Sequence, residues 1–458
     1  MKKLISFLLT LSLILSVSPT VLAKETDSIR IAVIDTGVST AAIDPNCLEK
    51  GQNYADPNAS TEDLIGHGTE VTSIIVGSKS AGVEGICPEA TIIPLVYRSN
   101  DQKGEQILIS MTEVGRIIRN AIDIYHCDII NFSSRTPLDT PDLRSAVAYA
   151  EEKGVLFVTC AGNDGYSSLT VYPGGYDSTL CVGSGNADIS DAARFSNRGN
   201  HVDVLAPGID IPVSGLSGEA KTDSGTSLST AIVSGLAAKL LMKNPDLTPA
   251  QIRNLICACA DDIGEAGFDK RTGWGVLNME QTLACAERGW AFRDVAENEW
   301  YSDGIGHVAA QKLMTGTDPV SFSPNTPTTR AMLWTMLFRL DGGNASADPE
   351  HWYSDGQTWA IEKKISDGSD PNGEITREQL ATMLYRYAEK AGLSVDERAD
   401  LASFKDAGAI SAYALDAVSW ANANGLINGV GDSRLDPAGT ATRAQIAVII
   451  SRFLNTFA

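Results

Sequence analysis

Over the first three fifths of the chain, short apolar runs rich in β-branched residues alternate with longer stretches of helical periodicity. Ile29–Ile34, Ile92–Tyr97, Asp128–Phe132, Val155–Thr159 and Thr179–Val182 are nearly unbroken hydrophobic segments. That pattern predicts strands buried on both faces. Between them, Glu105–Tyr125, Asp142–Lys153 and Ser227–Lys243 carry helical spacing. Thr248-Pro249-Ala250-Gln251 reads as a capping box with proline at the first helical position, opening a further helix. This alternation predicts an α/β fold, a parallel sheet covered by helices, with its site at the carboxyl ends of the strands.

After residue 288 the pattern changes to an internal repeat. Arg330, Arg377 and Arg443 are each preceded by threonine, with proline six residues earlier and apolar residues at +3, +6, +7 and +10. The spacing is one face of an amphipathic helix. A second arginine recurs at +9, as Arg339, Arg386 and Arg452. Thr376 with Gln379 and Thr442 with Gln445 form capping boxes, so the threonine–arginine pair starts each helix; the first copy has Met332 in place of the glutamine. A small all-α region of three repeats is expected, with segments 289–345, 346–400 and 401–458 following one large domain at 24–288.

At the N-terminus, Lys2 and Lys3 precede the apolar run Leu4–Val17, then Pro19 and Val21-Leu22-Ala23. This is a signal-peptide layout over 1–23, so the mature chain is expected to be exported, with no stable membrane span after cleavage. Composition narrows the function. With 43% hydrophobic and 20% charged residues, the 458-residue chain can build packed cores. A net charge of −21, from 36 basic and 57 acidic residues, argues against general nucleic-acid binding and against electrostatic docking on anionic lipid. The eight cysteines all precede residue 289 and sit singly in apolar runs. They read as buried free thiols, although an even count in an exported chain permits disulfides. No Cys/His spacing marks a metal site.

Four motifs carry candidate chemistry. Asp35 follows the first predicted strand; His67 lies in Gly66-His67-Gly68-Thr69 at a helix entrance; Asn163 follows the Val155–Thr159 strand; Ser227 enters the Ser227–Lys243 helix. Singly, each has an ordinary structural explanation as a turn, cap or core residue. Together they supply an acyl-transfer apparatus: a hydroxyl nucleophile, a base to activate it, a carboxylate to orient the base, and a donor for the oxyanion. The order Asp, His, Ser separates this set from other serine-nucleophile arrangements.

On these motifs, with Phe195-Ser196-Asn197, Ala206-Pro207-Gly208, Gly225-Thr226-Ser227 and Gly273-Trp274-Gly275, the chain resembles the subtilisin-like serine peptidases across residues 29–288. The resemblance implies peptide-bond hydrolysis, with Asp35 orienting, His67 as general base and acid, Ser227 as nucleophile, and Asn163 with the Ser227 backbone N–H as oxyanion hole. It implies no cofactor for catalysis; structural calcium fits the family, but no ligand cluster assigns it. Asp35-Thr36-Gly37 and Asp223-Ser224-Gly225 also resemble the paired motifs of pepsin-like aspartic peptidases, but that β-rich fold conflicts with the alternation and leaves His67 and Asn163 without roles.

The sequence departs from the subtilisin pattern in four places. Glu70 stands where the family has a second histidine, and Ala231 where it has proline. Ser133-Ser134-Arg135 replaces Ser-x-Gly, so Arg135 either restricts the cleft, favours acidic substrate residues, or is a solvent-facing side chain without effect. Only Lys24–Ser28 separates the leader from the first strand, where secreted relatives have a pro-domain.

Phe292-Arg293-Asp294-Val295, Trp300-Tyr301, Trp352-Tyr353, Phe404-Lys405-Asp406 and the three threonine–arginine pairs resemble S-layer homology modules. That resemblance implies attachment of the chain to an anionic cell-wall polymer at a bacterial cell surface, with Arg330, Arg377 and Arg443 as binding residues or as braces of the repeat. The expected whole is a secreted, wall-attached serine endopeptidase acting on protein or peptide substrates. The alternative is a wall-bound binding or structural protein whose peptidase domain is silent.

Overall fold

The computed structural model describes residues 28–101, 103–296, 298–344 and 351–457. The leader expected at 1–23 lies outside them. The first domain runs β1 (Arg30–Asp35), β2 (Gln52–Asn53), α1 (His67–Val76), β3 (Thr91–Val96), β4 (Arg98–Asn100), β5 (Gln106–Leu108), α2 (Met111–Asp123), β6 (Ile129–Phe132), α3 (Pro141–Glu152), β7 (Leu156–Cys160), β8 (Thr179–Ser184), β9 (Val204–Ala206), β10 (Ile211–Ser214), β11 (Ala220–Asp223), α4 (Thr226–Lys243), α5 (Pro249–Ala258) and α6 (Met279–Ala284).

Seven strands form one parallel sheet in the order β2-β3-β1-β6-β7-β8-β9. Because successive side chains point to opposite faces, β1 sends Ile31 and Val33 into one core and Ala32 and Ile34 into another. The first core is shared with α1, α4 and α5, the second with α2 and α3. Helix α4 is apolar on nearly every side and buried from Thr226 through Ala238, as its place beneath the sheet requires. The parallel register brings the carboxyl ends of β1, β6 and β7 to the same edge.

The expected helix Glu105–Tyr125 is corrected. Its first residues form β5, paired antiparallel with β4, and the helix begins only at Met111. Gly104, at φ 80°, permits the tight turn, and Asp101 Oδ1 accepts from Glu105 N at 2.7 Å. Ser110 then caps the shortened helix by accepting from Glu113 N at 3.3 Å. The Thr248 capping box forms as expected, with Gln251 reciprocating. The cysteines are thiols rather than disulfides, and all but Cys47 are buried.

The second region comprises α7 (Ser302–Ala310), α8 (Arg330–Leu340), α9 (Ser354–Glu362), α10 (Arg377–Lys390), α11 (Leu415–Ala423) and α12 (Arg443–Phe457). The three repeats close on themselves. Ile375 N donates to Thr328 O at 2.8 Å, Thr328 N to Ala441 O at 3.0 Å, and Ala441 N to Ile375 O at 3.0 Å. Each repeat therefore bonds to the other two around a pseudo-threefold axis. One apolar core containing Trp334, Trp359, Trp420 and Phe453 spans all three. Arg293 of the first repeat joins the domains by donating to the Cys257, Ala258 and Ala260 carbonyls at the end of α5.

Candidate active site

Asp35 is the last residue of β1, a central strand between β3 and β6, and is 2% exposed. His67 opens α1 after Gly66, whose φ of 114° is accessible to glycine. The turn before it is fixed by Asp63, which accepts from Gly66 N at 2.8 Å and from Thr69 N at 2.9 Å. The result is a 2.7 Å contact between His67 Nδ1 and Asp35 Oδ1. A carboxylate accepts only, so Nδ1 carries the proton and Nε2 is the free base. Burial opposes the charged imidazole, but the charge and hydrogen bond of Asp35 outweigh it, leaving His67 with a pKa above its ordinary value.

Ser227 occupies the first turn of α4 and is 8% exposed. Its hydroxyl donates to Ser133 O at 3.3 Å, and the Ser133 hydroxyl returns a bond to Ser227 O at 3.2 Å. Asn163 lies three residues beyond β7. Its Oδ1 accepts from Thr226 N at 3.0 Å and from Thr226 Oγ1 at 2.8 Å. Because a backbone N–H can only donate, the oxygen must face Thr226, which leaves the side-chain NH₂ as the remaining donor.

His67, Asn163 and Ser227 line one open cavity of about 420 Å³, together with Tyr97, Arg98, Ser133 and Arg135. The four sequence candidates thus meet at the carboxyl edge of the sheet, Asp35 behind the imidazole. Cys160 also lines the cavity, but burial pushes its thiol up to about 11, so it stays protonated at neutral pH. Asp223, the partner needed for an aspartic dyad, lies on β11 and pairs with Lys221 at 3.7 Å instead. Glu70 points the same way, 2.5 Å from Lys221.

Sequence reasoning missed Arg98 and Tyr97. Their signal was topological: β3 neighbours β1 in parallel, so the residues following β3 must reach the same edge as Asp35. A larger cavity of about 690 Å³ lies at the junction of α5 and the first repeat, lined by Arg253, Trp290 and Arg339, and it contains none of the four catalytic candidates. Among the described residues, no group of three or more His, Cys, Asp or Glu side chains is arranged to hold a metal ion, and no helix is long and apolar enough to cross a membrane.

The repeat arginines point across the pseudo-threefold joints. Arg330 Nε donates to Ser369 O at 2.8 Å and its Nη2 to Asp367 at 2.7 Å. Arg377 Nε donates to Leu435 O at 2.8 Å. Arg443 donates to Phe322 O at 2.8 Å and Thr315 O at 2.6 Å, its guanidinium 4.6 Å from the Phe322 ring centre. Each therefore reaches the next repeat in the ring. Arg330 with Arg386, and Arg377 with Arg452, also line grooves of about 430 and 330 Å³.

Comparison with known proteins agrees with this architecture. The family model described as the subtilase family matches residues 26–275, and that of the S-layer homology domain matches 291–331 and 403–447. The chain is 34% identical over 255 residues to the minor extracellular protease Epr of Bacillus subtilis strain 168, spanning 55% of this chain and 38% of that protein. It is 32% identical over 253 residues to subtilisin BL of Lederbergia lenta, spanning 55% of this chain and 89% of that protein. Fervidolysin from Fervidobacterium pennivorans, a keratinolytic enzyme related to subtilisin, superposes with a TM-score of 0.51 at 29% identity, covering 56% of this chain and 42% of that one.

Proposed function

The chain belongs to the subtilase family, and on that premise we propose a secreted, wall-attached serine endopeptidase that works through Asp35, His67 and Ser227. The observation that carries this reading is the 2.7 Å bond from His67 to a buried Asp35, with the imidazole facing the same cavity as Ser227 and Asn163.

In this reading, Ser227 exchanges its bond to Ser133 O for one to His67 Nε2. Its oxygen attacks the substrate carbonyl as the hydroxyl proton passes to the imidazole. Asp35 holds the imidazolium that forms. The carbonyl oxygen becomes an oxyanion, accepting from the Asn163 side-chain N–H and from the Ser227 backbone N–H. The latter lies in the first turn of α4, where no intrahelical carbonyl takes it. His67 then protonates the leaving amine, and water, deprotonated by the same imidazole, hydrolyses the acyl-enzyme. The step needs no cofactor.

The S-layer homology repeats attach this enzyme to the cell surface in the same proposal. Grooves lined by Arg330 and Arg377 present cationic donors suited to an anionic wall polymer, while Arg443 holds the third repeat to the first. A serine-directed fluorophosphonate tests the enzyme: the folded wild type is labelled and Ser227→Ala is not. Sedimentation with isolated cell walls tests the anchor: the full chain pellets, and a chain left in the supernatant contradicts it.

A further inference from the structure

The catalytic reading leaves two guanidinium groups of the cleft unused. Arg98 follows β3 and Arg135 follows β6, and both line the cavity that holds Ser227. Among the described residues, no aspartate or glutamate lines it with them. Asp35 is committed to His67. Asp164 pairs with Arg135, and is itself fixed by Asn197, whose Nδ2 donates to it at 3.2 Å while Asp164 N donates to Asn197 Oδ1 at 3.1 Å.

Arg135 is held in place. Its Cδ and Nε lie against Gly162, where a Cβ would collide with them, and Gly162 adopts φ 96° immediately before Asn163. One Nη of the fork meets Asp164, and an arginine has five N–H donors, so others remain for a ligand. At Arg98, the buried Nε has no hydrogen-bond partner among the described residues. A neutral or basic substrate side chain leaves these donors desolvated without an acceptor, whereas a carboxylate supplies one in bidentate geometry.

Geometry indicates which substrate residue is read. The scissile carbonyl must sit between Ser227 and Asn163, so the residue that owns it brings its side chain closest to the Gly162–Asn163 segment and the arginine packed on it. We propose that the enzyme cleaves peptides after glutamate or aspartate, with Arg135 binding the substrate carboxylate and Arg98 extending the positive surface toward His67. This rests on the peptidase reading and names its substrate class.

The test uses the full chain and four peptides identical except for Glu, Gln, Leu or Lys before the scissile bond, with fluorophosphonate labelling of the wild type in parallel. The readout is the ratio of kcat/KM for the Glu peptide to that for its Gln isostere, in which any difference in folded fraction cancels. The wild-type ratio is expected to be roughly tenfold or more, falling close to one in Arg135→Gln. A brace-only Arg135 would lower all four rates in step and leave the ratio intact, overturning the proposal. A wild type that is labelled but cleaves the Gln, Leu or Lys peptide as fast as the Glu peptide overturns it too, and spares the peptidase reading. A wild type that is neither labelled nor cleaves any peptide overturns both.

Discussion

His67 Nδ1 lies 2.7 Å from Asp35 Oδ1, so the carboxylate both chooses the tautomer and raises the imidazole's affinity for a proton. The base must be neutral to accept the serine proton, so kcat/KM should rise with pH through a value above the ordinary imidazole range. Asp35→Asn removes the raising charge and favours the wrong tautomer. The acid limb should move to lower pH and kcat should fall by roughly 10⁴-fold. A pH–rate profile of both proteins checks the direction. An unmoved limb would mean that Asp35 does not govern His67.

Asn163 is anchored through Oδ1 to Thr226, which leaves its NH₂ as the remaining donor, the group that the proposed mechanism uses to hold the oxyanion. Asn163→Ala should lower kcat by roughly 10²–10³-fold with little change in KM, because the bond strengthens only as charge develops on the substrate oxygen. Steady-state kinetics decides it. A rise in KM at constant kcat would place Asn163 in ground-state binding instead.

Much of this site was legible in the sequence, because the physics there is local. Unbroken β-branched runs alternating with helical stretches read as buried strands of a parallel sheet, and Asp35 and Asn163 follow such runs, so a common edge was implied. Capping boxes at Thr248, Thr376 and Thr442 announced their helices for the same reason. The hairpin at Gln106–Leu108 was hidden because Ile107 and Leu108 also fit the helical period of α2; the turn at Gly104 and the cap at Ser110 decided it. The repeat arginines were found as helix starts, but their partners were not. Arg443 donates to Phe322 O, 121 residues away, and only closure of the ring brings the two together.

That closure gives a stability prediction. Arg443→Ala strips donors from the Phe322 and Thr315 carbonyls at a buried joint, and should cost about 2–4 kcal/mol. Asp367→Ala removes a partner of Arg330 that is 70% exposed, and should cost about 1 kcal/mol or less. Tryptophan fluorescence in urea reports the repeats, since all the tryptophans except Trp274 lie there. Equal losses in the two variants would contradict the ring as described.

Thiol chemistry supplies a further check. Burial raises the pKa of Cys127 to about 12 and that of Cys87 to about 11, whereas Cys47 is only partly covered. In the native chain without reductant, a thiol-specific chromogenic reagent should react at Cys47 alone on the minutes scale, and at all eight positions after unfolding. Fewer than eight reactive groups in the unfolded chain would reveal disulfides.

The measurement that bears most directly on the whole account is covalent labelling of the folded full chain by a fluorophosphonate, with the modified peptide located by mass spectrometry. The account predicts one adduct, on Ser227, lost in Ser227→Ala and strongly slowed in His67→Ala. No adduct on the folded wild type, or equal labelling of Ser227→Ala, would contradict it.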